Sequence, residues 1–91
     1  MTYINVRHTV SNYENWRPIF DADMPRRIAG GATGVTQIYR DVDNPNVITL
    51  LMEWDNEKNA TKFLNDPALG AVMQQAGVVG MPAVRAILSR S

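Results

Sequence analysis

The stretch from Val47 to Trp54 limits what this chain can become more than any other part of it. Val47, Ile48, Leu50, Leu51 and Met52 fall on both faces of a strand, whereas a strand with one wet face alternates apolar and polar residues. A sheet that contains this strand must be covered on both sides. Just upstream, Asp41-Val42-Asp43-Asn44-Pro45-Asn46 is dense in turn formers, and Thr33 to Arg40 before it is β-compatible. The two strands form a hairpin with a loop longer than two residues.

The rest of the chain supplies partners for this hairpin. From Tyr3 to Val10, Ile4, Val6, His8 and Val10 share one face and Tyr3, Asn5, Arg7 and Thr9 the other, which predicts a first strand. Ser11 and Glu14 have capping-box spacing, so a helix is expected to start there. Tyr13, Trp16, Phe20, Met24 and Ile28 recur at helical spacing until Gly30-Gly31. Pro18 and Pro25 each remove a backbone donor inside that stretch, which predicts a short first turn, a restart near Pro18 and a kink around Asp21. Asp21, Asp23, Arg26 and Arg27 run from acidic to basic along this helix and are expected on its solvated face, without a chemical role.

After Trp54, Asp55 or Asn56 can cap a second helix with Ala60, Phe63 and Leu64 turned inward, ending at Asn65-Asp66 before Pro67. A further helical segment with Leu69, Val72, Met73 and Ala76 on one stripe stops at Gly77, and Pro82 to Ser89 is the fourth strand. The order β-α-β-β-α-β is that of a ferredoxin-like α+β domain over residues 1–91, a four-stranded antiparallel sheet with its helices on one face. A chain of 91 residues has a small core, and with no cysteine it has neither disulfides nor thiolate zinc sites to reinforce it. A second copy laid against the open sheet face would solve both problems, so a homodimer is expected.

Charge narrows the partners. Nine basic and nine acidic residues leave no field to gather nucleic acid or an anionic membrane surface. The polar residues Thr2, Asn5, Arg7 and His8 leave no apolar run for a signal peptide or membrane span at the start, and a cytoplasmic location is expected. The third strand lacks the K/R-G-F/Y pattern of RNA-recognition modules with the same topology. Zinc-protease, phosphate-loop, nucleophile-elbow and EF-hand motifs are absent, so no metal or cofactor is called for by the residues.

Three groups of residues carry a resemblance across nearly the whole chain: Val6-Arg7-His8-Thr9-Val10 followed by Tyr13, Trp16 and Phe20; Asp43-Asn44-Pro45-Asn46 before the strand ending Glu53-Trp54-Asp55; and Ala76-Gly77-Val78-Val79-Gly80 ahead of Pro82. On these the sequence resembles the dimeric α+β barrel superfamily, in particular its small antibiotic-biosynthesis-monooxygenase-like (ABM-like) proteins. The resemblance implies a dimeric α+β barrel. It also implies a functionally mixed group of cofactor-free monooxygenases, haem-degrading enzymes, isomerases and cyclases, and proteins without assigned activity. The monooxygenase-like and haem-degrading branches often carry a histidine on the second helix where this chain has Phe63, which counts against haem.

His8 is the single histidine and the candidate catalytic base, on the face where Trp16 and Phe20 should arrive. Trp16, Phe20, Tyr39, Trp54 and Phe63 are candidates to line a pocket for a small aromatic or apolar ligand. The alternatives are a packed His8 bonded to backbone or to Glu53, and aromatic residues that only fill the core, with Tyr39 in the dimer interface. Asn5 and Arg7 are expected to face the partner subunit. The chain then reads as either a cofactor-independent monooxygenase-like or isomerase/cyclase enzyme, or a non-catalytic binding or structural dimer.

Overall fold

The computed structural model describes residues 1–91. Its elements are β1 (Thr2–Val10), α1 (Tyr13–Ala22), α2 (Met24–Gly30), β2 (Ala32–Arg40), β3 (Val47–Trp54), α3 (Glu57–Leu64), α4 (Pro67–Gln75) and β4 (Val78–Ser89). The strands form one antiparallel sheet in the order β2-β3-β1-β4. This is the ferredoxin-like arrangement, with each βα half carrying two short helices in place of one.

The two central strands set the core. Ile4, Val6, His8 and Val10 of β1 and Ile48, Leu50, Met52 and Trp54 of β3 are all buried, and the helices bring Trp16, Ala60, Phe63 and Ala76 down onto them. The other face of β3 holds Val47, Thr49, Leu51 and Glu53, all half-buried, and no helix covers it. Arg7, Asn5 and Tyr3 of β1 stand beside them in register, and Arg7 is paired within the chain to Asp41 through two bonds of 2.8 and 2.6 Å.

Three helix boundaries differ from the sequence expectation. The cap of α1 is Asn12, which accepts from the Asn15 amide at 3.1 Å, while the Ser11 amide is drawn to the Gly77 carbonyl at 2.9 Å. Pro18 does not restart the helix: α1 runs through it to Ala22, giving up only the bond its missing amide would make to the Glu14 carbonyl. The break comes at Asp23, where Pro25 at the start of α2 has no amide to offer the preceding turn. In α2, Arg27 is buried and Ile28 is 45% exposed. The fourth strand also begins earlier than Pro82, because Val78 and Val79 already pair with Val10 and Thr9.

Gly31 ends α2 at φ 122, and a Cβ built there would lie 2.6 Å from Asp55 Oδ1 and 2.9 Å from Asn59 Nδ2. Both the backbone and the space are closed to a side chain. Gly31→Ala should cost more than about 1 kcal/mol of unfolding free energy, read as a lower urea midpoint, whereas Gly70→Ala, in open space within α4, should not lower it.

Candidate functional site

β1 and β4 part company beside His8. As β1 advances from Arg7 to Thr9, β4 runs all the way from Val84 back to Val79, so Gly80 to Ala83 bulge away from the sheet and leave His8 without a β4 partner. Gly80 makes the turn at φ 67. Behind the bulge, between the sheet and all four helices, lies a cavity of about 460 Å³, within the range of small-molecule sites. Val6, His8, Leu50 and Met52 form its floor, and Met81 and Pro82 of the bulge stand at its rim.

One wall is a continuous stack. The ring of Phe20 lies 4.7 Å from that of Trp16 at an interplanar angle of 18°, and the edge of His8 meets Trp16 at 5.8 Å and 80°. The spacing of four residues along α1 aligns Trp16 with Phe20, and strand alternation turns His8 up to meet them. His8 is 5% exposed, and neither Nδ1 nor Nε2 has a hydrogen-bond partner. Glu53 is not available to it, being bonded to Tyr3 Oη and Thr33 Oγ1 on the other face of the sheet. Burial holds the imidazole below its ordinary pKa of 6.5, so at neutral pH it is uncharged.

The candidate residues divide between the cavity and the rest of the domain. His8, Trp16, Phe20 and Phe63 line it together. Trp54 does not: it is fully buried at the far end of β3, tilted against Phe63 at 4.8 Å and closed over by Gly30, whose Cβ position is 3.4 Å from its ring. Tyr39 is 56% exposed on the open face of the sheet, opposite Thr49.

No family model matches the sequence, and no curated protein is similar to it in sequence. Solved structures do match the fold over nearly its whole length. A candidate antibiotic biosynthesis monooxygenase from Bordetella bronchiseptica superposes with a TM-score of 0.77 at 12% identity, covering 99% of this chain and 96% of that one. SnoaB, a cofactor-independent oxygenase from Streptomyces nogalater, gives 0.71 at 15% identity, covering 99% and 91%. A conserved protein from Methanosarcina mazei gives 0.73 at 12% identity, covering 99% and 92%. This chain has the antibiotic-biosynthesis-monooxygenase-like fold.

In this example of the ABM-like fold the cavity holds more charge than the sequence suggested. Arg27 lines it and is 2% exposed, its Nη1 donating to the Phe20 carbonyl at 2.8 Å and its Cζ lying 3.9 Å from the Phe20 ring centroid. Arg85 also lines it and donates to the Leu64 carbonyl. The signal for Arg27 was its spacing: it lies seven residues, about two helical turns, beyond Phe20 and so falls on the same side, whereas Ile28 lies one residue further round. No helix of the chain is long and apolar enough to cross a membrane.

The depressed pKa of His8 has a measurable consequence. Below about pH 6.5 the unfolded chain takes up a proton on His8 that the folded chain resists. Stability is therefore full above that pH, declines as pH falls toward the lower folded-state value, and changes no further through His8 below it. Urea unfolding from pH 8 to pH 5 should show the midpoint falling over this window in the wild type and a flatter profile in His8→Asn.

Proposed function

We propose that this protein binds a small, flat, mostly apolar molecule in the cavity beside His8, and that His8 removes a proton from it without a cofactor. One observation carries the reading: a buried, neutral imidazole with both nitrogens unbonded on the wall of an aromatic cavity. Buried polar groups nearly always have partners, so an orphaned pair of ring nitrogens points to a ligand that supplies them. In the neutral ring one nitrogen accepts a proton and the other donates a hydrogen bond. A phenolic or enolic molecule lying against Trp16 and Phe20 would offer its acidic hydrogen to the accepting nitrogen.

The anion so formed has three outlets. Return of the proton to another carbon is an isomerisation, and attack by the carbanion on a carbonyl of the same molecule is a cyclisation. Reaction with dioxygen at a CH2 carbon converts it to a carbonyl: one oxygen atom stays on carbon, and the other leaves as water with the two hydrogens. The likeness in fold to SnoaB, described as a cofactor-independent oxygenase, supports the outlet through dioxygen. The test is an oxygen electrode and an absorbance record on small hydroquinones, naphthols and anthrones. Protein-dependent oxygen uptake or spectral change supports catalysis. Binding without turnover, in air or under nitrogen, supports the second reading, a non-catalytic binding module, which the depth of His8 favours.

The working unit in this reading is a homodimer formed through the open sheet face. Tyr39, Val79 and Leu88, exposed by 56%, 54% and 41%, share that face with Val47 and Leu51. Sedimentation velocity should give twice the chain mass, and Leu51→Glu should shift it toward the monomer. A wild type that sediments as a monomer would contradict the dimer.

A further inference from the structure

The cavity contains a cation without an ion-pair partner, Asp23 and Asp21 acting on it only from a distance. Arg27 is 2% exposed, yet its only side-chain partners are the Phe20 carbonyl at 2.8 Å and the Met24 sulfur at 3.8 Å, and its Nε bonds to nothing. The nearby carboxylates are taken. Asp23, which lines the same cavity, is held through both oxygens by Arg26 at 2.9 and 2.8 Å. Asp21 is held through both by Arg17 at 3.0 and 3.1 Å. Asp66, also on the wall, accepts from the Ala68 amide at 2.9 Å and from Arg26 at 3.4 Å. Arginine stays charged in proteins, and a buried charge is costly unless a group of opposite sign meets it.

We infer that Arg27 is the anion-binding residue of the cavity, and that the ligand taken there is an aromatic or conjugated acid bound as its carboxylate. This rests on the reading of the cavity as a small-molecule site and names the class of molecule. The guanidinium lies over the ring of Phe20, which in turn stacks on Trp16, and His8 meets the far ring of that pair. The wall therefore offers a cation at one end, two stacked rings in the middle and an uncharged imidazole at the other. A flat molecule with its carboxylate on Arg27 would lay its rings on this wall. Its opposite end would fall toward His8. The planar fork of arginine suits a carboxylate better than a point charge would.

The experiment compares 2-naphthoate with 2-naphthamide, the same ring with and without charge, by calorimetric titration of the full-length protein. Naphthoate should bind the wild type at least about tenfold more tightly, with the difference shrinking at high salt. Arg27→Met should remove that preference, bringing the two affinities within about twofold of each other, and Arg27→Lys should keep part of it. Equal wild-type affinities would overturn the inference and leave the cavity standing, and so would a preference that survives in Arg27→Met. If neither probe binds, the cavity itself fails as a small-molecule site and the inference falls with it. The wild-type comparison decides the matter even where the methionine variant does not fold.

Discussion

Trp54→Ala should lower the unfolding free energy by about 3–5 kcal/mol, the usual cost of emptying a large buried aromatic site. A chain of this length has roughly 5–14 kcal/mol in total, so that single change removes about a fifth of it or more. The side chain is fully buried, leans on Phe63 and is closed over by Gly30 at the end of α2, so neighbouring groups can do little to refill the gap. Its indole N–H has no partner, an unfavourable feature that the aromatic bulk must outweigh. Trp54→Phe removes that donor along with part of the volume, and its cost should be well below that of alanine. Urea unfolding of the three proteins checks both statements. If phenylalanine proves as damaging as alanine, the indole N–H has a role that this structure does not contain.

His8→Gln should reduce turnover of any substrate found for the cavity by a factor of about 10²–10⁴, the range for loss of a general base. Glutamine keeps a comparable polar shape but takes no proton. The effect should fall on kcat with KM little changed, because Trp16, Phe20 and Arg27 still hold the ligand. In the wild type, the rate should fall on the acid side with an apparent pKa below 6.5, since burial lowers that of the imidazole. A variant that retains full rate would remove His8 from the chemistry and leave the cavity as a binding site.

The architecture was legible because its determinants are local. Strand alternation, turn residues and helical stripes place the first three strands and three of the four helix starts within a residue or two, the fourth strand beginning four residues before Pro82, and the ferredoxin-like order follows. The site was only partly legible. His8, Trp16, Phe20 and Phe63 converge because face and spacing bring them together. Tyr39 and Trp54 do not, and the reason lies in strand geometry. Tyr39 alternates with Ile38 and so belongs to the open face. Trp54 has the right face, but Ile48 is the residue paired with His8, and at about 3.3 Å per residue Trp54 lies roughly 20 Å further along the sheet. Arg27 was assigned to solvent because the run of charges from Asp21 to Arg27 was read as a solvated face, although Arg27 lies two turns beyond Phe20 on the side that is buried.

The irregular stretch of β4 opposite His8 also bears on how copies of the chain can meet. β2 and β4 are the outer strands, and each is interrupted: β4 by Gly80 and Pro82, and β2 by a lapse in pairing between Ala32 and Thr36 around Gly34. A proline offers no amide, and a bulge breaks the straight row of free donors and acceptors that another strand needs as a template. Growth of a sheet from one molecule to the next, the route to fibres, is thereby discouraged at both margins. The same interruptions leave the flat side of the sheet as the surface for the proposed dimer, and association of that kind stops at a pair.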